Sequence, residues 1–210
     1  ENSSVRDEPR LQLPGIDIFC AGQDVQANAI DMVIISDWRD EILEIAPNLK
    51  LIQKLGAGVD TIIASPAIPH HVRIARLAPD SQAQEMARYC LTHVLDDLIG
   101  LAQYRSNALE KIWRTQAPRH PEDTNIAILG VGHIGQAIAR LFNSLNFRVS
   151  GWSKTPRDLP DINCFVGKDG LRRVLQNADV IIVALPSTKY TKELINMEVF
   201  LQLKPNAMLI

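Results

Sequence analysis

Gly130-Val131-Gly132-His133-Ile134-Gly135 places three glycines at the spacing that a dinucleotide pyrophosphate requires. The first glycine permits a tight turn, the second lets backbone N–H groups approach the phosphates, and the third lets a helix pack closely on a strand. Such a loop holds an anion through backbone N–H groups and through the partial positive charge of a helix N-terminus. The flanking sequence supplies the elements needed. Ile126-Ala127-Ile128-Leu129 reads as a buried strand, and Ile134, Ala137, Ile138 and Leu141 recur at helical spacing behind the loop.

The next strand is predicted over Phe147-Arg148-Val149-Ser150-Gly151-Trp152. Its end should meet an adenosine ribose, which in such sites lies about 20 residues past the glycines. An acidic side chain there would select NAD. This chain has Ser153-Lys154-Thr155-Pro156-Arg157 instead, and Ser153, Lys154 and Arg157 suit a 2′-phosphate, so NADP is preferred over NAD. The same cations would also serve as a solvated surface loop, and that alternative stays open.

A second glycine loop, Leu55-Gly56-Ala57-Gly58-Val59-Asp60, follows another apolar run. Consecutive backbone N–H groups in such a loop can point the same way and hold a carboxylate, which would make the substrate a small acid. The alternative is an ordinary strand-to-helix turn. His70, His71, His93 and His120 have no carboxylate partner at a readable spacing, no Cys-x-x-Cys occurs, and no metal site is expected.

The net charge of −2 gives no general attraction to nucleic acid or to an anionic membrane, so neither is expected as a partner. No apolar run is long enough to read as a membrane span, and Glu1 to Arg10 is too polar for a signal peptide. Cys20, Cys90 and Cys164 lie far apart in apolar contexts, which predicts reduced thiols in a cytoplasmic protein.

The elements that must position these loops follow from the pattern. Strands are predicted at Ile16 to Cys20, Met32 to Ile35, Leu49 to Ile52 and Val72 to Ala75, with short helices at Asp40 to Ile45 and Val59 to Ile63. They form a first domain over residues 1–77, and Leu77-Ala78-Pro79 is the predicted hinge to a second domain over 78–210. Ser81 and Gln84 read as a capping box before a long helix whose apolar stripe runs from Met86 and Ala87 to Leu101 and Ala102. The segment from Ala108 to Thr124 reads as a connecting arm. A helix is predicted near Gly170 to Asn177, a buried strand over Val180 to Leu185, a short helix over Met197 to Leu203 and a last strand over Ala207 to Ile210. Leu185 and Pro186, with Ser187 and Thr188 after them, should lie beside the cofactor.

The Gly56-Ala57-Gly58-Val59-Asp60 loop, the Gly130 to Gly135 loop, and Leu185-Pro186-Ser187-Thr188 with Thr191 and Leu194-Ile195-Asn196 occur here in the order that resembles the D-2-hydroxyacid dehydrogenases. Gly151-Trp152-Ser153-Lys154 and Cys164-Phe165-x-Gly167-x-x-Gly170-Leu171 are most similar to the glyoxylate/hydroxypyruvate reductase A branch. The resemblance implies an α/β fold: a partial Rossmann-type doubly wound parallel sheet for dinucleotide binding, with a second, smaller flavodoxin-like α/β substrate domain. It implies an oxidoreductase that reduces a small 2-oxo acid to a D-2-hydroxy acid with NAD(P)H, working as a homodimer. Backbone at Ala57 and Gly58 would hold the substrate carboxylate. Gly130, Gly132, His133, Ile134 and Gly135 would hold the pyrophosphate, and Trp152, Ser153, Lys154 and Arg157 would stand at the adenosine end. Leu185, Pro186 and Thr191 would line the cofactor, and Met86 would approach it. The family's catalytic arginine, glutamate and histidine are expected beyond residue 210, so no catalytic residue is expected within this chain, which is read as cut short at both ends. The alternative is a non-catalytic dinucleotide-binding sensor or scaffold of the same fold.

Overall fold

The computed structural model describes residues 14–20, 22–117, 119–160 and 162–210. They divide into two compact units, Glu1–Leu77 and Ala78–Ile210. In the first, β1 (Met32–Ile35), β2 (Leu51–Lys54) and β3 (Arg73–Arg76) form a parallel sheet in the order β1-β2-β3, connected through α1 (Ile42–Ile45) and α2 (Asp60–Ala64). Ala46, Leu49, Ile52, Ile62 and Val72 make its core. The reversal of strand order that marks a flavodoxin-like sheet is not found among the described residues of this unit. The run from Ile16 to Cys20, expected as a strand, pairs with none of the described strands and leaves Ile16 56% and Phe19 45% exposed. Strand propensity is realised only against a pairing neighbour, and neither of the described sheets includes this run.

The second unit opens with α3 (Asp80–Ile99) and α4 (Leu101–Leu109). Pro79 occupies the position just before α3, so Ser81 falls inside the first turn and no side chain caps the helix. The predicted capping box therefore does not form. Ala83, Ala87, Cys90, Val94 and Leu98 give α3 a buried stripe at helical spacing. The stripe does not continue straight through Ala102, because Gly100 adopts a left-handed conformation at φ 75° and separates the two helices.

Then follow β4 (Asn125–Leu129), α5 (His133–Ser144), β5 (Arg148–Ser153), β6 (Asn163–Val166), α6 (Gly167–Asn177), β7 (Val180–Val183), α7 (Met197–Phe200) and β8 (Met208–Leu209). The sheet is parallel throughout, in the order β6-β5-β4-β7-β8. The chain moves outward from β4 to β6, then returns to lay β7 on the other side of β4. That reversal is the Rossmann topology, and ligands in such sheets bind beyond the carboxyl ends of the strands where it occurs. Both faces of the sheet are covered. Ile126 and Ile128 of β4 pack with Cys90 and Val94 of α3 and Ile138 and Phe142 of α5. Ala127 and Leu129 pack on the opposite face with Val174 and Leu175 of α6 and Val199 of α7. A strand buried on both sides must be apolar throughout, which is why β4 and β7 carry no alternation. No helix among the described residues is long and apolar enough to cross a membrane.

Candidate functional site

The glycine loop sits where β4, β5 and β7 end. Gly130 N–H donates to the Trp152 carbonyl at 2.8 Å, and Ala184 N–H donates to the Leu129 carbonyl at 2.8 Å. Gly130 has φ 100°, and a Cβ on it would stand 2.5 Å from the Ala184 carbonyl oxygen, so only glycine fits. A Cβ on Gly135 would land on the Gly130 carbonyl oxygen, which shows how closely the first turn of α5 lies against the loop. Gly132 differs from both. It is the residue before α5, and a Cβ there would meet nothing within 4 Å. No side chain caps α5 and no acidic residue lies in its first turn, so its leading N–H groups are left for an anion. The residues present thus fit a pyrophosphate.

Around this cradle the structure gathers several side chains. His133 Nε2 lies 3.3 Å from Asp80 Oδ1 at the start of α3. Beyond β5, the Lys154 ammonium stands 3.5 Å from the ring centroid of Tyr190, which follows β7. Leu185 is half-buried and Pro186 exposed. Thr191 Oγ1 donates to the Pro186 carbonyl and accepts from Thr188 N–H at 2.9 Å, closing the turn after β7. A groove of about 670 Å³ is lined by Gln136 and Arg140 of α5 and by Leu159 and Ile162, and includes none of these groups in its lining.

In the first unit, Gly56 has φ 144° and begins the loop after β2. The Ala57 carbonyl accepts a hydrogen bond from Arg76 Nη1 at 2.6 Å, and Lys54 Nζ donates to the Ser36 carbonyl. Gly58 is exposed, with open space where a side chain would be.

A family model of the D-isomer specific 2-hydroxyacid dehydrogenase NAD binding domain matches residues 91–210. The chain belongs to this family. It is 32% identical over 180 residues to glyoxylate/hydroxypyruvate reductase A of Serratia proteamaculans, covering 82% of this chain and 58% of that one. It is 29% identical to the reductase of the same name from Yersinia enterocolitica, covering 86% and 59%. The chain therefore spans less than two thirds of the length of these relatives. Among solved structures, a D-isomer specific 2-hydroxyacid dehydrogenase of Xanthobacter autotrophicus in complex with NADPH and MES superposes with a TM-score of 0.84 at 30% identity, over 93% of this chain and 64% of that one. An NADPH-dependent glyoxylate/hydroxypyruvate reductase of Sinorhizobium meliloti, in complex with NADP and sulfate, gives 0.78 at 27% identity, over 84% and 55%.

In this chain the expected residues do not all face the same way. Lys154 and Arg157 are exposed at the end of β5, and Met86 is 40% exposed on α3. Trp152 turns inward, 7% exposed, and its indole N–H donates to the Gly167 carbonyl at 2.8 Å. Ser153 is 6% exposed and its hydroxyl donates to the Thr155 carbonyl at 2.6 Å, so that donor is already committed inside the protein. Sequence reasoning missed Asp80, Tyr190, Lys54 and Arg76. The first two are distant in sequence from the groups they meet. Lys54 and Arg76 carried a readable signal, since they follow the predicted strand runs Leu49 to Ile52 and Val72 to Ala75 and stand next to a glycine loop or a hinge.

Proposed function

We propose that the protein is an NADP-dependent D-2-hydroxyacid dehydrogenase that reduces a small 2-oxo acid of the glyoxylate or hydroxypyruvate type. The observation that carries this reading is the open cradle at Gly132, in a chain of this family, with Lys154 and Arg157 exposed beyond the adjacent strand. When bound, the nicotinamide supplies hydride. The chain's own groups bind and orient: N–H groups at Gly132, His133 and Ile134 hold the pyrophosphate, and Lys154 and Arg157 pair with the 2′-phosphate. Leu185, Pro186, Thr191 and Met86 line the dinucleotide, and backbone N–H groups at Ala57 and Gly58 hold the substrate carboxylate. Polarising the carbonyl and donating a proton would call for a cation and for a group that titrates near neutral pH, roles that an arginine and a histidine can fill. We assign the protein to the cytoplasm, supported by Cys90 and Cys164 standing as thiols. We assign it a homodimeric state, supported by Tyr89 and Ile99, 55% and 51% exposed on α3.

Fluorescence titration with NADPH and NADH, followed by NADPH oxidation with glyoxylate and hydroxypyruvate, tests the main reading. NADPH should bind at least tenfold more tightly, about 1.4 kcal/mol. Equal affinities would remove the NADP preference, and failure to bind either dinucleotide would remove the whole reading. Sedimentation at several concentrations tests the dimer, which a persistent monomer mass would exclude.

A further inference from the structure

We propose that Arg76 is a positioning residue for the substrate carboxylate, holding the Ala57–Gly58 peptide so that its N–H faces outward. The inference rests on the reading of the Gly56 to Gly58 loop given above. Lys54 and Arg76 are register partners at the last positions of β2 and β3. Parallel partners in register project to the same side of a sheet, so two cations stand together at the carboxyl edge, where ligands of parallel sheets bind. They bracket the loop. Lys54 Nζ reaches toward β1 to donate to the Ser36 carbonyl, and it lies 3.9 Å from where a Cβ on Gly56 would stand. On the other side, Arg76 donates to the Ala57 carbonyl at 2.6 Å.

That bond has a directional consequence. In a planar trans peptide the carbonyl and the following N–H point in opposite directions. Fixing the Ala57 carbonyl on the guanidinium therefore fixes the Gly58 N–H on the far side, toward the open space around Gly58. The loop needs such an anchor, because the Ala57–Gly58 peptide turns through ψ of Ala57 and φ of Gly58, and a glycine on its far side gives that rotation little steric resistance. A flipped peptide would present an oxygen to the incoming carboxylate. Arginine suits the task, since its charge persists at any physiological pH and strengthens the bond to the carbonyl. The positive charge of Arg76 and Lys54 also raises the local concentration of small anions.

The test is NMR titration of the intact, isotope-labelled protein with oxamate, an isostere of a 2-oxo acid, using the Gly56 and Gly58 amides as local probes. In the unsubstituted protein oxamate should shift the Gly58 amide. In Arg76→Leu the oxamate affinity should fall at least tenfold, in Arg76→Lys it should stay within about threefold, and NADPH affinity should be unchanged in both. The lysine variant keeps a cationic donor and guards against a folding defect in the leucine variant. If Arg76→Leu shifted Gly58 with the same affinity as the unsubstituted protein, the role of Arg76 would be overturned and the loop would keep its ligand. If oxamate shifted neither glycine in the unsubstituted protein, the loop would lose its assignment and the inference would fall with it.

Discussion

At the level of single residues, glycines carried the most legible information because their role is backbone geometry, which spacing alone reveals. Gly130 and Gly135 occupy places that only glycine fits, whereas Gly132 faces open space. Replacing Gly132 with valine puts a branched side chain into the cradle at a point where a Cβ meets no protein atom within 4 Å, so folding should persist while NADPH affinity drops more than tenfold, about 1.4 kcal/mol. Fluorescence titration checks it, and an unchanged affinity would take the loop out of the site. Ser153 illustrates the opposite case. From sequence it reads as a ribose contact, yet it is buried and bonded to the Thr155 carbonyl. Ser153→Asp therefore places a carboxylate in a buried position, and the expected outcome is a lower melting temperature, not a clean switch toward NAD. A variant with unchanged stability and reversed cofactor preference would refute this. Pairs such as Lys154 with Tyr190 and His133 with Asp80 escaped sequence reading because nothing local encodes a contact between distant segments.

Among the elements, those buried on both faces were the readable ones. From Ile126 onward β4, and β7 throughout, read as unbroken apolar runs, whereas β6, Asn163–Val166, is at most half-buried and was not predicted as a strand. Single-element cues failed where a neighbour decides the outcome, as with Pro79 displacing the cap of α3. One cross-element tie has a measurable consequence. Asp179, just before β7, accepts from the Asn125 N–H at 2.8 Å and Nδ2 at 2.9 Å, and from Lys204 Nζ at 2.9 Å. Burial pushes its carboxyl pKa up, but the hydrogen bonds from Lys204 and Asn125 together outweigh this and hold it below the ordinary carboxylate value. A carboxyl whose pKa is depressed on folding adds stability above its unfolded pKa and loses it as pH falls through the folded value. Asp179→Asn should therefore be less stable at neutral pH, with the gap to the unsubstituted protein closing in acid below the usual carboxylate range. Denaturant unfolding across a pH series measures this, and a gap independent of pH would contradict it.

Across the whole molecule, the α/β class and the Rossmann sheet follow from strand-to-helix alternation and the glycine loop, while the sheet of the first unit was less legible. Its strands are four residues each, and one predicted strand finds no partner among the described residues. The units have separate cores, so a ligand of one need not stabilise the other. NADPH at a hundredfold excess over its dissociation constant should add about 2.7 kcal/mol to the second unit. Hydrogen exchange should slow at β4, α5 and β5 in its presence, and uniform slowing across β1 to β3 would argue against a site confined to the glycine loop. The placement of β4 also bears on the order in which the chain acquires structure. β4, α5 and β5 are consecutive and mutually packed, but the other edge of β4 waits for β7, which is made only after β6 and α6. A chain emerging from the ribosome can close the β4–β5 ladder early, yet the other edge of β4, apolar from Ile126 to Leu129, stays open until Val183 has been synthesised. That interval is when aggregation threatens it most. Pulse-labelled exchange during refolding should protect amides of β4 and β5 before those of β7, and simultaneous protection would show that the sheet assembles in one step.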